Sequence, residues 1–202
     1  NIAEVALITP VDSDEDKGFY QDVYQASRQM QEIVDSLLAL ARLEKPTETS
    51  EKTLVNLHEL IKSISSKYEE AVENKQLQLD NRVAPDTACY STQYELELIL
   101  VNLIENAISY SPEGDDIVIE LERLENSVTL CVSNTALSLE PSDLPLMFDR
   151  LWRKDKSRTG VSNSGLGLSL VKAYAEHLGL TVELSLSEKQ KFTIRVKGLE
   201  PE

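Results

Sequence analysis

The fold class predicted by this sequence is α+β: a helical hairpin of the kind found in four-helix bundles, followed by an α/β sandwich with a mixed sheet and helices on one face. Three observations carry it. A heptad-patterned stretch occupies residues 16–44 and stops ahead of Pro46. Beyond it, apolar runs with the alternation of strands recur among amphipathic stretches of helical period. Most of those strand-like runs are neighbours in sequence with helices falling between them, and one mixed sheet covered on one face buries such elements economically.

The long helix is expected from about Asp16 to Glu44. Val23, Ala26, Met30, Ile33, Leu37 and Leu40 follow steps of three and four, and Val34, Leu38 and Ala41 add a second apolar row. A two-row stripe suits a four-helix bundle better than a two-stranded coil. Ile2 to Ile8 is short and apolar and a turn follows it, so residues 1–46 read as a hairpin missing most of its first arm. Lys45 to Thr53 is polar and contains Pro46, which places a linker at 47–53, with the sandwich expected over 54–200. The sandwich opens with an amphipathic helix through Leu57, Leu60, Ile61, Ile64, Tyr68, Ala71 and Val72, with Asn56 and Glu59 as its capping pair. Leu77 to Val83 reads as a strand. Thr92 and Glu95 form a second capping box, opening an apolar helix through Leu96, Leu100, Leu103 and Ala107. Ile117, Ile119 and Leu121, then Val128, Leu130 and Val132, alternate as a hairpin around Glu125–Asn126–Ser127. No period is sustained from Asn134 to Ser164 apart from a short helix over 142–151, and so long a connection reads as a functional loop or lid. A last helix runs from about Leu166 to Leu178, stopped by Gly179. Strands through Val182, Leu184 and Leu186, then Phe192, Ile194 and Val196, close the chain.

Composition narrows the function. The 202 residues hold one sizeable core with a helical appendage, and a formal net charge of −15 excludes a general nucleic-acid binder, which needs a basic face. A single nucleotide needs only a local positive field, so it remains compatible. Cys89 and Cys131 lie in apolar, strand-like surroundings and read as buried free thiols, and no zinc spacing is present. No apolar run approaches the ~18 residues that span a bilayer, and no signal peptide opens the chain, so membrane attachment is expected only through a segment upstream of Asn1.

Three constellations carry chemistry. Asn102, Asn106 and Tyr110 are four apart and share one face of an otherwise aliphatic helix. Asparagine is a poor mid-helix residue, and two at this spacing require an explanation. Their amide oxygens are hard, neutral ligands suited to a magnesium ion already held by phosphates, and a tyrosine one turn on can lie against an adenine ring. Next, Asn163–Ser164–Gly165–Leu166–Gly167–Leu168 opens the last helix, where glycines let phosphates approach backbone N–H groups. Finally, Arg150, Arg153, Lys154, Lys156 and Arg158 form a basic cluster on the lid, placed where a polyphosphate would need neutralising.

Together these residues resemble the catalytic ATP-binding domain of two-component sensor histidine kinases, in the superfamily shared with gyrase B, Hsp90 and MutL (the Bergerat fold). Asn102 to Pro112 is similar to the family's N box, Phe148–Asp–Arg–Leu–Trp–Arg153 to its F box, and Ser164 to Leu168 to its second glycine box. Gln21 to Glu44 resembles the second helix of the dimerisation and histidine-phosphotransfer hairpin. The resemblance implies ATP and Mg2+ as cofactors, with Asn106 on the magnesium and Asn102 on the same polar wall. It implies Tyr110 at the adenine, Arg150 or Arg153 and Lys154 near the phosphates, and Ser164, Gly165, Leu166, Gly167 and Leu168 beside them. It further implies a homodimer through the hairpin, a response-regulator receiver domain as partner, no nucleic acid, and the cytoplasmic portion of a bacterial inner-membrane sensor. The implied reaction transfers the γ-phosphoryl group to a histidine on the bundle and then to a regulator aspartate.

The sequence departs from the family at named positions. The first glycine box, Asp-x-Gly-x-Gly, aligns with Asn134–Thr–Ala136–Leu–Ser138–Leu139. Asn134 accepts a hydrogen bond without charge, and Ala136 and Ser138 add Cβ atoms. Ser109 stands where many members carry a phosphate-binding lysine, and Asn163 replaces the first glycine of the second box. These changes together predict weak nucleotide binding, or a lid held in an unusual shape. The acceptor histidine of the His-Glu-x-x-x-Pro run is absent, and His58 and His177 are not substitutes, so the chain is expected not to autophosphorylate. Two alternatives stay open: a non-catalytic dimerisation and regulator-binding module, and an anti-sigma-factor-like serine kinase.

Overall fold

The computed structural model describes residues 14–43, 51–124, 127–154 and 164–202. The expected first hairpin arm, most of the linker, the Glu125–Asn126 turn, and Lys156, Arg158 and Asn163 lie outside them. In chain order the elements are α1 (Asp14–Leu43), β1 (Thr53–Asn56), α2 (Leu57–Ser66), α3 (Glu69–Asn74), β2 (Gln78–Asn81) and β3 (Ala88–Ser91). There follow α4 (Gln93–Tyr110), β4 (Asp116–Leu124), β5 (Ser127–Thr135), a 3-10 turn (Pro141–Leu146), α5 (Gly167–His177), β6 (Thr181–Leu186) and β7 (Lys191–Pro201).

One mixed sheet runs in the order β1-β3-β7-β5-β4-β2, with β6 also paired to β7. Only β2 and β4 are parallel. Alternation sorts its two faces. Leu121, Leu130 and Val196 lie in one cross-strand row and Ile119, Val132 and Ile194 in the next. Most of these are fully buried, as are Leu96, Ile99, Leu100 and Leu103 of α4, so this face carries the core. Burying each such side chain is worth ~1.5–3 kcal/mol. The opposite face bears Glu120, Glu122, Ser133, Thr193 and Arg195, with the Ser133 and Thr193 hydroxyls 2.9 Å apart.

Several expectations change in detail. The helix read as continuous to Val72 is two helices, because the Lys67 N–H turns back to Ile64 and Ser65 carbonyls and ends α2. Thr53, assigned to the linker, begins β1, whose partner β3 holds Cys89. Thr92 is the N-cap of α4 but makes no side-chain cap bond. Glu95, the other half of the expected box, lies 2.8 Å from His177 Nδ1 instead. The short helix over 142–151 is a 3-10 turn containing Pro145, which cannot donate to a longer ladder. Asn56 does cap α2, accepting from the Glu59 N–H at 2.9 Å.

Gly179 stops α5 as expected. It has φ of +75°, and the N–H groups of Gly179 and Leu180 return to Glu176 (3.1 Å) and Ala175 (2.7 Å). That is a Schellman arrangement. In α1, Leu40 is buried, and the helix packs on α5. Much of the rest of its stripe is open: Val23, Met30, Val34, Leu37 and Leu38 are all exposed, and Ile33 is half-buried. Among the described residues no helix is long and apolar enough to cross a membrane.

Candidate functional site

The polar stripe of α4, the turn after β5, the segment after the 3-10 turn and the loop entering α5 converge on a cavity of about 650 Å³. Helices α4 and α5 are antiparallel. Glu95 meets His177 at one end of the pair, and Asn102 meets Gly167 at the other. A Cβ on Gly167 would lie 3.0 Å from Asn102 Oδ1. Any larger residue there would press the Asn102 side chain aside by a few tenths of an ångström, so glycine eases the approach of the two helices in addition to the phosphate access read from sequence. The asparagine amide nitrogen is occupied by the Leu98 carbonyl at 2.8 Å, leaving Oδ1 directed at the start of α5.

The cavity brings together Asn102, Asn106, Tyr110, Leu139, Arg153, Lys154, Ser164, Gly165, Gly167 and Leu168. Asn134, Phe148, Arg150 and Leu166 do not line it. Asn134 is 4% exposed, and its amide nitrogen donates to the Thr135 carbonyl at 2.9 Å. Its cross-strand partner Phe192 lines the cavity in its place. Phe148 faces α5, with the Lys172 ammonium 5.4 Å from its ring centre. Leu166 is buried, and its carbonyl accepts from the Ser169 hydroxyl (2.7 Å) and the Leu170 N–H (2.9 Å), which fastens the first turn of α5.

The loop entering α5 is clasped to the segment before it. Leu151, at φ +66°, donates its N–H to the Gly165 carbonyl at 2.9 Å. Gly165 is itself at φ +72°, and a Cβ there would come within 2.9 Å of the Leu151 carbonyl carbon and the Trp152 oxygen. The Ala136–Leu139 turn is held by an Ala136 N–H to Gln190 carbonyl bond of 2.9 Å. The Gln190 side-chain amide, with its nitrogen toward them, also satisfies the Ala136 and Leu139 carbonyls. So the stretch that departs from the glycine pattern is an ordered turn with its own brace.

Electrostatics distinguish the cations. Lys154 lies 2.6 Å from Asp143 and 3.4 Å from Glu140. Burial alone would raise the Asp143 carboxyl, but the Lys154 hydrogen bond, the Glu140 N–H and the Lys154 charge outweigh it and hold it below the usual range. Lys154 is correspondingly raised, chiefly by its hydrogen bond to Asp143. It therefore faces a ligand as one member of a carboxylate cluster. Tyr68 donates its hydroxyl to Glu105 at 2.7 Å, and burial together with that carboxylate pushes the phenol well above its ordinary value.

Sequence reasoning did not place Ser36, Tyr68, Lys75, Glu105, Trp152 or Phe192 on this cavity, yet all line it. Tyr68 carried a signal, because a tyrosine on a helix's apolar stripe needs a partner for its hydroxyl. Ser36 and Lys75 carried none, since each arrives from a distant element. His58 donates from Nδ1 to the Val83 carbonyl at 2.6 Å, outside the cavity. No group of three or more His, Cys, Asp or Glu side chains among the described residues forms a metal cage. A magnesium ion here would depend on Asn106 and on ligand phosphates, and that suits a cation which dehydrates reluctantly.

An asparagine helix, a glycine-started helix and a turn between them, arranged on one mixed sheet, define the class. The chain belongs to the family of histidine kinase-, DNA gyrase B- and HSP90-like ATPases, whose profile matches residues 92–200. Within that family it is a catalytic region of the two-component histidine-kinase type. It is 27% identical to sensor-like histidine kinase SenX3 of Mycobacterium tuberculosis (strain ATCC 25618 / H37Rv) over 184 residues, covering 91% of this chain and 45% of that one. It is 30% identical to sensor histidine kinase YcbM of Bacillus subtilis (strain 168) over 180 residues, covering 87% of this chain and 58% of that one. The chain thus spans about half the length of these curated relatives. In fold it is similar to full-length ShkA, solved in complex with AMPPNP, with a TM-score of 0.79 at 17% identity over 100% of this chain and 42% of that one.

Proposed function

We propose that this chain binds ATP in the cavity beside α4, and that the protein to which it belongs is an ATP-dependent histidine kinase. The observation that carries the reading is the convergence of Asn102, Asn106 and Tyr110 with Gly165 and Gly167 on one cavity. Tyr110 and Phe192 would flank the adenine. Asn106, with Asn102 beside it, would hold a magnesium ion through the phosphates, and the ion would neutralise charge on the transferred group. Arg153 would face the phosphate chain, and the backbone N–H groups at the start of α5 would receive it. In the transfer, a histidine ring nitrogen bonds the γ-phosphorus as the bond to the β–γ bridging oxygen breaks, and ADP leaves with that electron pair. The group then passes to an aspartate of a response-regulator receiver domain.

The exposed stripe of α1, from Val23 to Leu38, is the surface through which two copies would form the bundle. The chain's two histidines are His58 and His177, and both are engaged within the sandwich domain. Alone, it is therefore expected to take no label from radioactive ATP with magnesium, and label on either histidine would refute that. The full-length protein would lie on the cytoplasmic side of a membrane, anchored through a segment outside this chain.

Calorimetric titration with AMPPNP and magnesium tests the central claim. Sub-millimolar affinity is expected, and no heat at millimolar ligand would refute it. One observation favours a second reading, a regulator-binding module with little use for nucleotide: Asn134 is buried and its amide is engaged with Thr135, away from the cavity. The triple variant Asn134→Asp, Ala136→Gly, Ser138→Gly separates the two, because it should tighten AMPPNP binding only if this turn is an adenine wall.

A further inference from the structure

Resting on the nucleotide reading above, we infer that Lys75 is a charge-selecting residue of the cavity, making the end of α4 acceptable to an anionic ligand. An α-helix ends in carbonyl groups without partners, equivalent to about half a negative charge. The last turn of α4 contributes Ile108, Ser109 and Tyr110 to the cavity wall and contains no basic residue of its own. Left alone, that wall would repel phosphates, as would the neighbouring Glu105.

Lys75 comes from a separate element and corrects this. Its ammonium donates to the carbonyls of Ile108 (2.8 Å) and Ser109 (2.8 Å), with Ser111 at 3.4 Å, and its side chain lines the cavity. The main chain fixes it too. Lys75 is the C-cap of α3, and its carbonyl accepts from the Gly114 N–H at 3.0 Å. Gln76 follows at φ +52°, turning the chain into β2, and its side chain reaches Glu113 at 2.9 Å. The ammonium is therefore held against the end of α4 from both sides of the α4–β4 connection. A full positive charge against about half a negative one reverses the sign of the helix end itself and offsets part of the repulsion from Glu105. Ser109, which lines the cavity here, supplies no charge of its own.

The test compares ATP with adenosine, titrated calorimetrically against the 202-residue chain carrying Lys75→Met, Lys75→Gln or Lys75→Arg. Loss of the charge should weaken ATP roughly ten- to hundredfold. Adenosine should stay within about twofold, reporting that the wall is intact. Lys75→Arg should recover most of the ATP affinity. Lys75→Gln keeps a donor without the charge, so it carries the same comparison if Lys75→Met fails to fold. Parallel losses for both ligands, or no loss for either, would overturn the inference and leave the nucleotide reading standing. Binding of neither ligand by the unaltered chain would overturn both.

Discussion

Alanine at Gly165 should disturb the site through backbone contact alone. The perturbation has three parts. At φ +72° an L-residue costs about 1–2 kcal/mol. The new Cβ would lie 2.9 Å from both the Leu151 carbonyl carbon and the Trp152 oxygen, which are backbone atoms and cannot swing aside as a side chain would. Moving them apart loses the Leu151 to Gly165 hydrogen bond, worth about 1 kcal/mol. The conformational and hydrogen-bond parts sum to about 2–3 kcal/mol, and any unrelieved clash adds to them. Gly179 provides the control, with nearly the same φ of +75° and no atom within 4 Å of its would-be Cβ. Gly179→Ala should cost only the conformational part, about 1–2 kcal/mol. Urea unfolding followed by far-UV circular dichroism measures the difference, and Trp152, the single tryptophan, reports the clasp directly. Either Gly165→Ala exceeds Gly179→Ala by at least about 1 kcal/mol, or the clasp opens locally and native Trp152 emission shifts to the red. Equal stability losses with unchanged emission would show that the clasp is not closed in solution.

Other expectations follow from the same contacts. Burial pushes the Cys89 thiol up to about 11 and the Cys131 thiol up to about 12, so both should resist thiol reagents in the native chain and react on unfolding. Because both values are raised by folding, stability should be intact below the ordinary thiol value and decline as pH rises beyond it, which alkaline denaturation curves will show. His177→Ala should destabilise the chain by about 1–3 kcal/mol, because it leaves the buried Glu95 carboxylate without its 2.8 Å partner; pairing it with Glu95→Gln should recover part of the loss in a double-mutant cycle. Tyr68→Phe removes the donor to Glu105 and should cost about 1 kcal/mol in thermal or urea unfolding.

What was legible in the sequence was what a short window can hold. The stripe of α4, the glycines opening α5, the stop at Gly179 and the alternation of β4, β5 and β7 are all periodic or punctuated by residue type, and the structure has each. The break between α2 and α3 was not legible. Ile64, Tyr68, Ala71 and Val72 keep helical spacing across it, and neither glycine nor proline marks it. Four-residue β1 was hidden for another reason, since Thr53–Leu–Val–Asn56 runs straight into the capped start of α2. Within the site, α4 was read correctly from its own pattern. The residues missing from that reading, Tyr68 and Lys75, reach α4 from more than 30 residues away in sequence. Glu95 shows the same limit from the other side. Its spacing from Thr92 suggested a local cap, while its partner is His177 on another helix.

The antiparallel pairing of α4 and α5 explains why the cavity lies where it does. Glu95 and His177 align one end of the pair, and Asn102 and Gly167 mark where α5 begins alongside α4. Helix α4 continues eight residues past Asn102 to Tyr110, an overhang of about 12 Å that α5 does not cover. Before Asn102 the inward positions Leu96, Ile99 and Leu100 are aliphatic and fully buried; on the overhang one side has no helix to meet, and there Asn106 and Tyr110 face the cavity. The overhang also brings opposite helix ends together. The start of α5 offers free N–H groups and partial positive charge, whereas the end of α4 offers carbonyls and partial negative charge. An anion bridging the two would gain at one and lose at the other. The arrangement would favour an anion only with a cation capping the end of α4, and Lys75 is held against that end.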